Sequence, residues 1–273
     1  MKVLITGSSG MLGSDLTEEF SDSNLYHFSK EQLDITKKSH IIKNFKKIKP
    51  GIVINSAAYT DVDGSERNRK EALRVNALAI RNIAMMCRKI DAVLVHYSTD
   101  YVFDGNNKNG YRENDKKNPI NYYGYTKSLG EDYISRILRK YFIIRSSWLF
   151  GRKGKNFVES ILSKANENEI KVVNDQFGSP TYTKDLARAT KELLVQEYGF
   201  GVYHLTNSGY CSWYEFAKEI LKNANSKAKV VPISSMQLNR PAKRPKCSIL
   251  ISTKFKNRLP LWSVGLKRYL GEK

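Results

Sequence analysis

Cysteine is scarce in this chain. Only Cys87, Cys211 and Cys247 occur among 273 residues, with no C-x-x-C pair, which excludes a disulfide scaffold and fits a reducing compartment. Histidine is nearly as rare. His27, His40, His96 and His204 are scattered and show no H-E-x-x-H spacing, so ligand supply argues against a metal enzyme. No segment approaches the roughly 18 uninterrupted apolar residues of a membrane span. The first apolar run is too short for a signal peptide and leads straight into a glycine turn, so a cytoplasmic protein is expected. Internal repeats, low-complexity tracts and flexible linkers are missing too.

Acidic residues are in short supply: 27 Asp and Glu stand against 46 Lys and Arg, a net charge of +19. Such a balance raises nucleic acid as a partner. The basic residues, however, run from Lys2 to Lys273 and cluster only at 43–49 and 243–246. No helix-turn-helix, zinc finger or aromatic RNP pattern accompanies them. A lysine-rich solvated surface, part of which draws in an anionic small substrate, accounts for the charge. No nucleic-acid or membrane partner is expected.

What is present is ordinary globular material, 41 % hydrophobic and 27 % charged. A chain of this length buries about 75 % of its surface and needs no staple. Short apolar β-rich runs at 2–6, 25–28, 52–54, 92–97 and 141–145 alternate with helical patterns at 11–20, 41–48, 72–90 and 128–138. Continuous apolar strands separated by helices mean a parallel sheet covered on both faces. The fold class is therefore α/β, a Rossmann-type doubly wound parallel sheet with a smaller C-terminal substrate-binding lobe. In the second half, 157–165, 185–197 and 213–221 read as helices and 201–205 as a strand. Residues 174–183 read as an ordered loop, and 239–246, with Pro241 and Pro245, as irregular. The expected division is a dinucleotide-binding domain at 1–149, joined by 184–199, and an interleaved substrate lobe at 150–183 and 200–273.

Three features carry chemistry. Gly7-Ser8-Ser9-Gly10-Met11-Leu12-Gly13 follows a strand and opens a helix. A phosphate reaches the backbone N–H groups of a helix N-terminus only where no Cβ intervenes, and the last glycine permits close helix–strand packing. A plain structural glycine turn is the alternative. Second, Tyr123 and Lys127 lie four apart, on one face if helical. A phenol of pKa near 10 exchanges protons poorly at neutral pH, and a neighbouring cation lowers it. Any such pair could also be an innocent surface contact. Tyr125, two residues before Lys127, would face elsewhere. Third, Ser98-Thr99-Asp100-Tyr101 follows the fourth strand, where open α/β sheets bind ligands, and the Thr99 hydroxyl suits a substrate carbonyl. A mere strand-end turn is the alternative. The second strand ends in Phe28-Ser29-Lys30 with no evident acid, and Ser29 and Lys30 suit a 2′-phosphate better than a carboxylate would. Asp34 and Ile35 could instead flank the adenine.

With these residues stand Asn55-Ser56-Ala57-Ala58-Tyr59-Thr60-Asp61, Val75-Asn76-Ala77, Ser98–Gly105 in sequence, Arg145-Ser146-Ser147-Trp148, Asp175-Gln176-Phe177-Gly178-Ser179-Pro180 and Arg240-Pro241. Over nearly its whole length the chain resembles the extended short-chain dehydrogenase/reductases. The resemblance implies NADPH-dependent reduction of the 4-keto group of a nucleotide-linked 6-deoxyhexose, foremost dTDP-4-dehydro-L-rhamnose. It implies that Gly7, Ser9, Gly10, Met11 and Leu12 line the cofactor pyrophosphate, and that Ala57, Ala58, Tyr59 and Thr60 run along the cofactor. Tyr123 would donate the proton, with Lys127 as its partner and ribose ligand. Thr99 would tune the site, and Thr99, Asp100, Tyr101 and Trp148 would meet the sugar nucleotide. The family is often dimeric. Relatives that dehydrate carry Asp-Glu after the threonine, whereas Asp100 here precedes Tyr101, which disfavours dehydration. Another nucleotide-sugar reductase or epimerase of the same family, or a non-catalytic regulatory subunit resembling that of methionine adenosyltransferase, remains as the alternative.

Overall fold

Residues 1–196 and 198–272 are described by the structure, a computed structural model. In chain order the first half runs β1 (Lys2–Thr6), α1 (Met11–Glu19), β2 (Asn24–Phe28), α2 (Lys38–Ile48), β3 (Ile52–Asn55), α3 (Val62–Arg67), α4 (Arg69–Leu73), α5 (Ala79–Ile90), β4 (Val93–Thr99), α6 (Tyr122–Ile137) and β5 (Tyr141–Ser146). The second half adds β6 (Leu149–Phe150), α7 (Phe157–Leu162), β7 (Glu169–Val173), β8 (Phe177–Gly178), β9 (Thr181–Tyr182), α8 (Thr183–Val195), β10 (Gly201–His204), β11 (Cys211–Ser212), α9 (Trp213–Asn223), β12 (Lys229–Ile233) and α10 (Trp262–Gly271).

Six parallel strands form the main sheet in the order β10-β5-β4-β3-β1-β2. Alternate side chains go to opposite faces. Val3, Ile5, Ile52, Ile54 and Val95 pack with Leu12 and Leu16 of α1 and Leu186 and Leu193 of α8. Leu4, Val53 and Leu94 pack the other way, with Phe45 of α2, Ile80 and Ile83 of α5 and Ile134 of α6. Both faces are dry, as the unbroken apolar strands require. A separate core holds Phe150, Val158, Ile170, Phe216, Ile220 and Leu266 beneath α7, α9 and α10. Among the described residues no helix is long and apolar enough to cross a membrane.

Three differences from the sequence expectations stand out. The strand expected at 201–205 within the substrate lobe is β10, which pairs with β5 as an edge of the main sheet. The single helix expected over 72–90 is broken: a π-helical turn at Arg74–Leu78 separates α4 from α5. That turn brings the Asn76 carbonyl against α6, where a Cβ on Gly130 would lie 2.4 Å from it. The pairing of β7 with β12 was not legible, because each is a lone edge strand of mixed polarity and β12 contains Pro232. Helix 185–197 is found as α8, and its expected last residue, Glu197, lies outside the described residues.

Candidate active site

The glycine turn has a distinct need for each glycine. Gly7 sits at φ +74°, and a Cβ there would come within 2.7 Å of Ala57 N. On Gly13 a Cβ would lie 2.0 Å from Gly7 O, so α1 can approach β1 only with glycine at this place. A Cβ on Gly10 would meet only Gly7 O, at 3.3 Å. Its outer side is open to a ligand. Gly10 caps α1 without a side-chain hydrogen bond, and the first turn holds no acid. The N–H groups of Met11 and Leu12 are thus left for an anion. Leu12's own side chain is buried in the core. These residues fit a dinucleotide pyrophosphate.

The turn is tied to the end of β2 by Ser8 N donating to Phe28 O at 3.0 Å. Beyond it lie Ser29, half-buried, and Lys30, exposed. No acid stands at the end of β2, as the sequence reads, but one lies close beyond it. Glu31 stands just beyond, and Ser29 Oγ donates to its carboxylate at 2.6 Å. That bond holds the Glu31 carboxyl below its usual range. Sequence reasoning stopped at Lys30, one residue short. Asp34 accepts from Thr36 N and Oγ1 at 2.9 and 2.7 Å, and Ile35 is buried in the core, so its side chain is committed.

After β3, residues 57–60 are held by an element the site reading did not include. Asn76 Oδ1 accepts from Tyr59 N at 2.9 Å, and Asn76 Nδ2 donates to Tyr59 O at 3.0 Å. One amide thus fixes the stretch Ala57-Ala58-Tyr59-Thr60 at its middle. The signal available was Val75-Asn76-Ala77, noted for resemblance only.

At the carboxyl end of β4 the structure brings together Thr99, Asp100, Tyr101, Tyr123 and Lys127. Asn121 caps α6 by accepting from Gly124 N at 2.8 Å. Gly124 is needed because a Cβ there would lie 2.0 Å from Tyr101 O. The Tyr101 and Tyr123 rings then meet edge-on, centroids 5.9 Å apart. Thr99 Oγ1 donates to Asp100 Oδ1 at 3.0 Å, and Ser248 Oγ donates to Asp100 Oδ2 at 2.5 Å. Burial nonetheless pushes the Asp100 carboxyl up to about 7. Burial, then the Asp100 charge, also push the Tyr123 phenol well above its usual value, against a hydrogen bond with Thr99. Tyr125 is 48 % exposed and packs on Tyr122, away from the site.

Lys127 is 2 % exposed. Its Nζ donates to Tyr97 O at 2.5 Å and lies 3.3 Å from His96 Nε2. Burial pulls the ammonium down to about 8, and Glu131 opposes this. Burial works against the Glu131 charge, yet its two hydrogen bonds with Arg145 hold the carboxyl at about 2. In this arrangement burial, then Asp100 and Thr99, act on the Tyr123 phenol.

Trp148 has φ +49° and stacks on Trp213 with centroids 3.4 Å apart. Its indole lies where a Gly178 Cβ would be, 2.5 Å from the ring. Trp213 was not singled out in the sequence. Nor was Arg244, which joins Asp63 by two hydrogen bonds, one of 2.5 Å, and holds that carboxyl at about 2. Arg244 also lies near Tyr101. It lines a cleft of about 770 Å³ with Arg240, Lys243, Lys246, Gln176 and Ser235. The basic cluster at 243–246 was its trace in the sequence.

A profile described as the RmlD substrate binding domain matches residues 1–273. The chain belongs to the RmlD substrate binding domain family. Among curated relatives, this family member is 37 % identical to the spore coat polysaccharide biosynthesis protein SpsK of Bacillus subtilis, over 100 % of the chain and 98 % of the relative. It is 34 % identical to the dTDP-4-dehydrorhamnose reductase of Escherichia coli, with the same coverage. Among solved structures, the dTDP-4-dehydrorhamnose reductase of Bacillus anthracis in complex with NADP superposes with a TM-score of 0.97 at 42 % identity. That match covers 100 % of this chain and 99 % of the other. A UDP-glucose 4-epimerase of Thermus thermophilus in complex with NAD, 18 % identical at a TM-score of 0.81, shares the fold with the RmlD family.

Proposed function

We propose that this protein is an NADPH-dependent oxidoreductase that reduces the C4 carbonyl of dTDP-4-dehydro-L-rhamnose to give dTDP-L-rhamnose. The observation that carries the reading is the gathering of Thr99, Tyr123 and Lys127 at the carboxyl end of β4, on the sheet whose β1 opens into the glycine turn. NADPH, when bound, supplies the hydride. Gly7, Ser9, Gly10, Met11 and Leu12 would hold its pyrophosphate and Ala57, Ala58, Tyr59 and Thr60 its flank. Ser29, Lys30, Asp34 and Ile35 lie toward its adenosine end, three strand spacings from β4, roughly 14 Å. Thr99 holds the substrate carbonyl oxygen, its hydroxyl turning from Asp100 Oδ1 to do so. Tyr123 gives its proton to that oxygen as charge develops, and the Lys127 ammonium stabilises the phenolate left behind. Asp100, Tyr101 and Trp148 face the sugar. The cleft bearing Arg240, Lys243, Arg244 and Lys246 suits the substrate pyrophosphate.

On this reading residues 1–149 and 184–199, with β10, carry the dinucleotide, and the rest of the second half carries the substrate. A cytoplasmic homodimer without a nucleic-acid partner completes the proposal. The test is NADPH oxidation with a panel of nucleotide-linked 4-keto-6-deoxy sugars. Turnover on the dTDP-linked 4-dehydrorhamnose is expected. No oxidation on any member, with a stoichiometric protein partner captured instead, would replace the enzyme with the regulatory-subunit alternative.

A further inference from the structure

Thr6, Asn55 and His96 stand in register on three neighbouring strands, Thr6 opposite Asn55 and Asn55 opposite His96. All three are at most 1 % exposed and share the sheet face covered by α6. Buried polar groups must find partners, and these find one another. The Thr6 hydroxyl donates to Asn55 Oδ1 at 2.7 Å. Asn55 Nδ2 reaches His96 Nδ1 at 3.0 Å and Ala57 O at 3.3 Å. The other ring nitrogen, Nε2, faces Lys127 Nζ at 3.3 Å.

The donors give this row a direction. Asn55 Nδ2 carries only hydrogens, so His96 Nδ1 accepts, and a neutral imidazole then bears its one hydrogen on Nε2. That N–H points at Lys127 Nζ. An amine has a lone pair to receive it, whereas an ammonium has none. For the ammonium, the ring must carry its hydrogen on Nδ1 instead. The Asn55 amide must then turn its oxygen to Nδ1, giving up its bond to Ala57 O, and Thr6 must accept from the amide nitrogen. The ring stays neutral throughout, one hydrogen leaving Nε2 and one arriving at Nδ1 by exchange with solvent.

We propose that the Thr6–Asn55–His96 row is a reversible hydrogen-bond relay that positions Lys127 and reverses direction when Lys127 gains or loses its proton. Two properties of the site support this. Burial and the Lys127 charge keep His96 neutral, well below its usual value. With Lys127 near 8, both of its forms are populated around neutrality. The other charges nearby are already committed. Glu131, on α6, is held by Arg145 of β5 and by Lys117. Asp100, beyond β4, is bonded by Thr99 and Ser248. On α5, exposed Arg81 lies over the Tyr133 ring, and Arg88 and Lys89 are exposed in the last turn. Arg74 of the π-helical turn is bonded to Glu71. Thr6 and Asn55 are uncharged. The catalytic meaning of Lys127 rests on the reductase reading; the relay itself does not.

The test follows the ring nitrogens of His96 by NMR in the full-length, nitrogen-labelled protein, with and without NADP⁺, from roughly pH 6 to 10, a range that brackets the depressed Lys127 value. The proton-bearing nitrogen should change from Nδ1 at low pH to Nε2 at high pH, with one midpoint. Lys127→Met should freeze the ring in one tautomer at every pH. Asn55→Asp, whose carboxylate only accepts, should hold Nδ1–H and raise the midpoint by about 1–3 units. A wild-type ring that keeps one tautomer across the range overturns the relay, as does a tautomer change that survives Lys127→Met. Failure of the reductase reading would show differently, as no NADPH oxidation beside an intact tautomer change.

Discussion

At the scale of single residues, Tyr123 and Tyr125 make a controlled pair. Both are phenols near the start of α6, but one meets Tyr101 and Thr99 while the other is nearly half exposed. Tyr123→Phe removes only a hydroxyl, so kcat should fall by about 10²–10⁴-fold while NADPH affinity, measured by fluorescence titration, stays within a small factor. Tyr125→Phe should leave both unchanged; a dead Tyr125→Phe beside an active Tyr123→Phe would place the motif in the wrong register. Lys127→Ala should damage rate and NADPH affinity together. Because burial depresses the Lys127 ammonium to about 8, its charge is present below that value and lost above it, so kcat/KM should decline as pH rises through about 8. Lys30→Glu should weaken NADPH and spare NADH; equal binding curves before and after would remove Lys30 from cofactor choice, and Glu31 would be the residue to examine next. The Tyr123 and Lys127 pair was legible because α-helical spacing puts four-apart residues on one face. His96, Asp100 and Arg244 owe their roles to partners 31, 148 and 181 positions away, which spacing cannot encode.

At the scale of elements, the glycine turn sets how closely α1 approaches β1. Gly13→Ala puts a Cβ 2.0 Å from Gly7 O and should cost about 1–3 kcal/mol in denaturant unfolding, before any ligand is added. Gly10→Val is the opposite case. Its Cβ would lie 3.3 Å from Gly7 O, a tight contact that a small shift relieves, so it should unfold with little loss of stability, yet it should abolish NADPH binding. The segment around Arg244 is pinned to α3 through Asp63, whose carboxyl is depressed to about 2. A depressed acid stabilises the fold above its unfolded value near 4 and loses that contribution as pH falls toward 2, about 2 kcal/mol in all. Arg244→Met should therefore flatten the acid limb of the stability curve below pH about 4. The central main-sheet strands β1, β3, β4 and β5 were legible because each carries a run of buried apolar residues. Among those that were not, β7 and β12 are edge strands whose exposed residues break the pattern, β8 and β9 are two-residue strands inside the stretch read as a loop, and α10 follows a proline-bearing stretch without a polar cap.

At the scale of the whole molecule, charge and topology have separate consequences. A net charge of +19 surrounds a site built for a doubly anionic pyrophosphate, so KM for the nucleotide sugar should rise with ionic strength more steeply than kcat changes, as steady-state assays in about 0.05–0.5 M salt would show. A KM flat across that range would assign capture to local contacts alone. The topology bears on how the molecule is made. The edge strand β10 is the partner that covers β5, and α8, which covers one face of the sheet with α1, lies just before it in the chain. Between β5 and β10 the ribosome must add more than 50 residues, roughly 3–10 s of synthesis at ordinary elongation rates. For that interval the emerging chain has β5 as an open edge, and for most of it Ile5, Ile54 and Val95 lack their cover from α8. A nascent-chain window that invites chaperone binding is thus written into the order in which the strands leave the ribosome.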